Sequence, residues 1–439
     1  MGYQENTVYI FVPFRVNGDF ALPKLHCAML ESGNWTQMHD EIKYMLKYVA
    51  DKIDGRDIEN CRCLHYTLAE SAYGASPLLA RGISLQTEEN DFGGEKVPFD
   101  FEVQNVQLYC FGMGIGIMAF QLHFNRNEHM WISTALYYLK KVSREKLYIS
   151  GKTDETGVTM LELAKQLLSP VQGEFEFFFY ANEGTERANV LMLLEVEPKA
   201  DYKKELYYLR RCYGEGFMYT ENAALDAKEI HIPSTDMHWG ISPEAAVCLI
   251  APQMGRSEFL CDTFYKNFNA QYLFMYVLLL HQKYMLYLLQ TQIGVGMRND
   301  LKTLEAYRRQ LYELVTEFVF SCVTEVEQYQ RLYQHMTEAF SLKTMFEDVR
   351  EPLTSLREIR QEEEEKARAK NEGRLSIALA LLSLLGLFSA APDSWDLAKL
   401  VANALFGGKG AVAVLCVFMA VIFGVFVVVI KQLFGKSDK

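Results

Sequence analysis

The last 65 residues of this chain read as two membrane-spanning helices joined by a short loop, and a very long helical region leads directly into them. Few architectures accept such an ending. It predicts that most of the 439 residues form a cytosolic body, and that the function belongs at, or through, a bilayer.

Residues 411–430 form the clearer span: twenty residues without a charge, bounded by Lys409 and Lys431. At about 1.5 Å per residue they cover roughly 30 Å, the thickness of a hydrocarbon core. Fourteen of them are Val, Leu, Ile or Phe, which favours insertion by roughly 4 to 8 kcal/mol. The first span, 375–391, is shorter, with nine large apolar residues and a sharp end at Pro392 and Asp393. Its small residues share one helical face: Ser376, Ala380, Ser383, Gly386 or Leu387, and Ala390 recur at steps of three and four. Such a face suits close helix–helix packing and equally suits the lining of a pore; an oligomeric channel needs both.

Charge sets the orientation. Lys366, Arg368, Lys370 and Arg374 precede the first span, and Lys431, Lys436 and Lys439 follow the second. The loop 392–410 balances Asp393 and Asp396 against Lys399 and Lys409. The positive-inside rule then puts both termini in the cytoplasm, as in a multi-pass protein of the cell inner membrane. The N-terminus lacks the basic start and apolar core of a cleavable signal. Nine cysteines without paired spacing fit a reducing compartment.

The body, 1–254, is expected to be an α+β domain. Residues 7–14, 99–111, 114–124, 174–180 and 189–196 are rich in β-branched and aromatic side chains and predict strands. Residues 38–53, 132–144, 159–168 and 203–212 have helical periodicity. Residues 222–254, with Pro233, Pro243 and Pro252, read as a connecting segment. From Glu258 onward glycine and proline become scarce. The stripe Leu301, Leu304, Tyr307, Leu311, Leu314, Phe318, Cys322, Val326, Tyr329, Tyr333, Met336 and Phe340 predicts a helical hairpin or coiled coil. A stalk helix is expected from Pro352, and 258–374 forms the helical hairpin and stalk. Residues 272–280 and 284–289 together look like a third span, but His281, Gln282 and Lys283 fall at its centre, so a buried soluble helix is expected.

Enzymatic motifs do not emerge, and no catalytic role is expected. Gly151-Lys152-Thr153 lacks the glycine of a phosphate-binding loop, since position 146 is Lys146. Gly112, Gly114 and Gly116 predict a hairpin or bulge. His231, Asp236 and His238 match no metal-ligand spacing. Glu362, Glu363, Glu364 and Glu365 are a solvated helix face in one chain; in a symmetric assembly they become a ring that concentrates cations, with Asp393 and Asp396 forming a second ring. The net charge of −12 argues against direct DNA or RNA binding by the body as a whole.

A cytosolic α+β domain, a long helical stalk and two C-terminal transmembrane helices with a short outer loop resemble the CorA-type divalent cation transporter superfamily. The resemblance covers the architecture from about Thr7 onward and has residue-level support from Glu258 to Lys439. It implies a homopentamer in the lipid bilayer, a pore lined by the first span, and Mg2+ or another divalent cation as substrate. The family's Gly-Met-Asn triplet is missing: the matching stretch is Gly386-Leu387-Phe388-Ser389-Ala390-Ala391-Pro392, and Lys431, Lys436 and Lys439 are a thin version of the family's basic cluster. Divergent members without the triplet accompany type III CRISPR systems and resemble membrane effectors opened by a nucleotide-type second messenger in antiviral defence. For such a ligand, Lys203, Lys204, Tyr207, Arg210 and Arg211 offer cations among aromatics, on what otherwise reads as an exposed amphipathic helix. A membrane anchor without conduction is the third reading.

Overall fold

Asn6–Asn17 contains an almost unbroken apolar run, and Val8 to Val12 and Phe14 are wholly buried. A strand with this pattern needs cover on both faces. The computed structural model describes residues 4–17, 21–39, 42–52, 61–152, 157–295 and 301–434, and among them this strand lies near the middle of a thirteen-stranded sheet. It pairs antiparallel with Ile115–Phe124 on one side and Asn189–Glu195 on the other. Beyond Ile115–Phe124 comes Asp100–Phe111; beyond Asn189–Glu195 come Ala245–Ile250, Met237–Ile241 and the edge strand Ile230–Ser234. Asn189–Glu195 and Ala245–Ile250 run parallel.

Alternation along the strands divides the cover into two layers. Val8, Ile10, Val12, Met192, Leu194, Val247 and Leu249 join one core with the helices Leu22–Glu31, His129–Leu139, Met160–Leu168 and Lys203–Arg211. The third of these starts with a capping box in which Thr159 and Glu162 bond each other's backbone. On the other face, Tyr9 packs on Phe268 and Phe11 on Tyr276. The covering helix opens with π-helical turns at Phe259–Phe264 and Phe268–Tyr272 and continues as Leu273–Val295. Its outer side meets the helices Leu301–Phe318 and Glu327–Ala339.

Phe259–Ile293 is the one helix among the described residues found long and apolar enough to cross a membrane, and 94% of its apolar window is buried inside the fold. A helix enclosed by a sheet and two helices is apolar all round for that reason alone. The polar centre finds partners: Gln282 Nε2 donates to the Phe318 carbonyl at 2.8 Å, and Lys283 Nζ donates to the Pro243 carbonyl at 3.0 Å.

Several expectations change. Residues 222–254 are not a connector: after the helix Ala223–Glu229 they supply three strands of the main sheet. Among the described residues of 38–53 only Lys47–Ala50 is helical, and Trp35–Met38 is a strand. The stripe from Leu301 is two helices, broken by the non-helical stretch 319–326. The last helix starts at Leu342 rather than Pro352 and runs to Phe434, so 392–410, expected as a loop, is helical. Pro392 lies inside this helix, where it removes one backbone donor and favours a kink, while the Leu, Ala and Lys residues after it are good helix formers.

Packing divides the chain into Met1–Thr354 and Ser355–Lys439. The boundary expected near Met254 is therefore displaced, because the helices after it close the second face of the sheet. The described part of the second unit is helix throughout.

Candidate functional site

The amphipathic segment Lys203–Arg211 folds as a helix because Leu206 and Leu209 bury one side against the sheet. It ends at Cys212, whose φ of 48° is the left-handed conformation of a helix terminus. The five residues expected to hold a ligand separate into two groups. Arg210 is 0% exposed: its Nε donates to Glu229 at 2.7 Å and its Nη2 to Asp226 at 2.8 Å. It is a paired internal cation with its Nη1 also buried, and it is withdrawn from the ligand set because no part of the guanidinium reaches the surface where a phosphate would arrive.

Lys203, Lys204, Tyr207 and Arg211 remain towards the surface. Lys203 pairs with Glu221 at 2.9 Å, and this bond raises its ammonium above the ordinary value. Arg211 donates to Glu229 and lies over the Tyr207 ring at 4.7 Å. Lys204 is exposed. Tyr207 packs edge-on against Tyr208, Tyr213 and Tyr219, and Tyr213 stacks on Phe217 at 4.3 Å. Tyr137 meets Phe217 and carries Lys141 at 3.6 Å over its ring. Phe217 is 40% exposed and Met218 86%. The result is an aromatic surface with cations at its margin, able to hold planar groups by stacking and cation–π contact. Sequence reasoning missed Phe217 and Tyr219, although they continue the aromatic run just beyond Tyr213; Tyr137 comes from another helix and leaves no local signal.

In the second unit, three of the four consecutive glutamates pair within their own helix: Glu362 with Lys366, Glu363 with Arg360 and Glu364 with Arg368. All four, and Asp396, are exposed. Ser376 and Ser383 are exposed, and Ser383 Oγ donates to the Leu379 carbonyl at 2.9 Å. The side chains of Ala380, Leu387, Ala390 and Asp393 lie outside the described residues.

Among the described residues, no group of three or more His, Cys, Asp or Glu side chains is placed to hold a metal ion. His238 bonds the Thr235 carbonyl, and Asp236 accepts from the Gln253 amide. His231 instead faces His335. A polar cleft of about 300 Å³ lies between Asn6 and His123–Asn127, but its floor is already bonded: the Asn6 carboxamide donates to the Phe124 carbonyl and accepts from the Phe124 amide. No protein-family model, curated protein or solved structure matches this chain.

Proposed function

We propose that the chain is a CorA-like oligomeric membrane channel or transporter for cations. The observation that carries this reading is the exposure of Leu375, Ile377, Leu379 and Leu382, at 65%, 45%, 57% and 63%, around a helix of the second unit. Leu400 and Val417 are exposed too, at 73% and 64%. Apolar side chains on more than one side of a helix need lipid or other copies of the chain around them. The Ser383 bond to its own backbone is the way a hydroxyl is satisfied in such a setting.

In this reading 375–391 and 411–430 are the two spans, and the helical stretch between them must fold back in the bilayer, with Pro392, Gly407, Gly408 and Gly410 as the weakest points of the helix. Both termini face the cytoplasm of the inner membrane. The subunits form a homopentamer around Ser376, Ala380, Ser383, Leu387 and Ala390. Glu362 to Glu365, Asp393 and Asp396 attract the ion. A divalent cation such as Mg2+ is substrate, and the protein performs no catalysis.

The aromatic surface around Tyr207, with Lys204 exposed beside it, favours a second reading. The pore is then a defence effector opened by a nucleotide-type messenger. Opening requires that the ligand bind the open state more tightly than the closed one.

Magnesium and monovalent-cation flux through purified protein in sealed liposomes, with and without nucleotides, tests both. Flux without ligand that Ser383→Trp abolishes is expected of the transporter. Flux only after a nucleotide is added selects the effector. Silence in every condition leaves a membrane anchor and overturns the channel.

A further inference from the structure

The cleft of about 300 Å³ between Asn6 and His123–Asn127 lies where three strands meet the end of the sheet: Asn6–Asn17 begins there, and Ile115–Phe124 and Asn189–Glu195 finish there. Ligand pockets run from about 300 to 1,000 Å³, so this one suits a small molecule. Backbone carbonyls fix the chemistry of its walls. The Asn6 carbonyl can only accept, so His123 Nδ1, 3.0 Å away, carries the proton, and the neutral ring keeps an acceptor at Nε2. The Glu195 carbonyl also can only accept, so Asn127 Nδ2 lies against it at 2.6 Å, which leaves Asn127 Oδ1 as the acceptor. That oxygen receives only a long bond, 3.4 Å, from Asn6 Nδ2. Glu5 gives one carboxylate oxygen to Arg256 and keeps the other. The donors of the lining are mostly taken: Asn6 Nδ2 by the Phe124 carbonyl and Asn125 Nδ2 by Ser84.

We propose that this cleft binds a small organic cation of the primary ammonium or diammonium class through its N–H groups. Three acceptors, His123 Nε2, Asn127 Oδ1 and a Glu5 oxygen, line one cleft, and an ammonium offers three donors and one positive charge. Charge favours the same sign of ligand. In and beside these segments Glu5, Glu128 and Glu195 outnumber Arg126 and Arg256, and Arg126 is drawn onto the Trp131 ring at 4.0 Å. The bonded floor holds the acceptors in place before any ligand arrives, which lowers the cost of binding. Tyr265, between the two π-helical turns of the covering helix, reaches Thr7 at 3.3 Å and Gln4 at 3.5 Å beside the cleft. Such turns are frequent at functional sites. The site does not rest on the channel reading, and its ligand is distinct from any ion that would be transported.

The test is titration calorimetry of putrescine into the natural full chain in detergent, beside its hexamethyl bis-quaternary analogue, which has the same charges but no N–H. One saturable equivalent per chain is expected for putrescine and none for the analogue. Glu5→Gln, at a half-exposed side chain, removes the charge, and His123→Phe removes an acceptor. Each is expected to weaken binding by about tenfold, the effect of one charge-assisted hydrogen bond. Absence of saturable binding, equal binding of the two cations, or unchanged binding in both variants overturns the proposal. Should the variants fail to fold, a structure of the natural chain with putrescine decides: the diamine in the cleft supports the site, and the diamine elsewhere or nowhere refutes it.

Discussion

Lys283 and His281, two residues apart on one buried helix, meet burial differently. His281 stacks on Phe111 at 3.9 Å, neither ring nitrogen has a partner, and burial pushes it down to about 3, so it sits in the core as a neutral ring. Lys283 donates to Asn189 Oδ1 and the Pro243 carbonyl, and burial lowers it to about 8 despite the nearby Glu244. At pH 7 the folded and unfolded states both hold the proton, and the fold carries the cost of a buried charge, roughly 3 kcal/mol at about 1.36 kcal/mol per pH unit. Between about pH 8 and 10.5 the unfolded chain keeps a proton that the folded chain has shed, so stability rises with pH across that window. Lys283→Met is expected to leave stability at pH 7 equal or higher and to remove the rise. Both acceptors keep other donors: Asn189 Oδ1 the Tyr284 hydroxyl, and the Pro243 carbonyl the Asn189 amide. Urea unfolding at pH 7 and pH 10 checks this, and a less stable variant with the same rise would refute it. The sequence showed three polar residues inside an apolar run, enough to expect a core helix. It held nothing to reveal that Asn189 and Pro243 would meet Lys283, because those contacts cross about forty to ninety residues.

Elements with a strong local pattern were legible; those fixed by tertiary position were not. The apolar strands and the helix at 159–168 could be read directly, though not its cap at Thr159, and the glycine-rich turn at Gly112 to Gly116 is a hairpin with Gly114 at φ +83°. Residues 222–254 misled because three prolines suggested a connector. Pro233 lies on the edge strand, where the register shifts between His231 and Ser234, and an edge is where a sheet tolerates a missing amide. Pro243 and Pro252 lie outside the strands, on either side of Ala245–Ile250. Gly116 shows how tightly the central strands are specified. It pairs with Phe14, and an added Cβ would stand 2.1 Å from that ring. The ring cannot swing away, since Phe175 and Phe177 hold it at 5.6 and 5.4 Å. Gly116→Ala should therefore cost about 1–3 kcal/mol, read as a lower urea midpoint. Adding Phe14→Leu should recover part of the loss. If the double variant shows the plain sum of the two single effects, the clash is not the cause.

At the scale of the molecule, the two units differ in where their apolar side chains lie. Met1–Thr354 has its own layered core, and the first turns of the last helix belong to it, with Leu342, Val349 and Leu353 buried. Beyond Leu356, which is half-buried, the large apolar side chains that are described in the second unit are exposed, among them Ile359, Leu375, Leu382, Leu400 and Val401. The site was legible in the same unequal way: the basic–aromatic helix follows from its composition, but the pairing of Arg210 with Asp226 and Glu229 depends on where the Ala223–Glu229 helix packs, which no local pattern signals. A chain ending at Thr354 should be soluble without detergent and unfold cooperatively, because it keeps every layer of its core and sheds the exposed apolar helix. The full chain should need detergent or lipid. Sedimentation and thermal unfolding of the two forms measure this directly. A truncated chain that aggregates in buffer would mean that apolar surface awaiting cover also lies before Thr354, and the case for a membrane function confined to the second unit would fail.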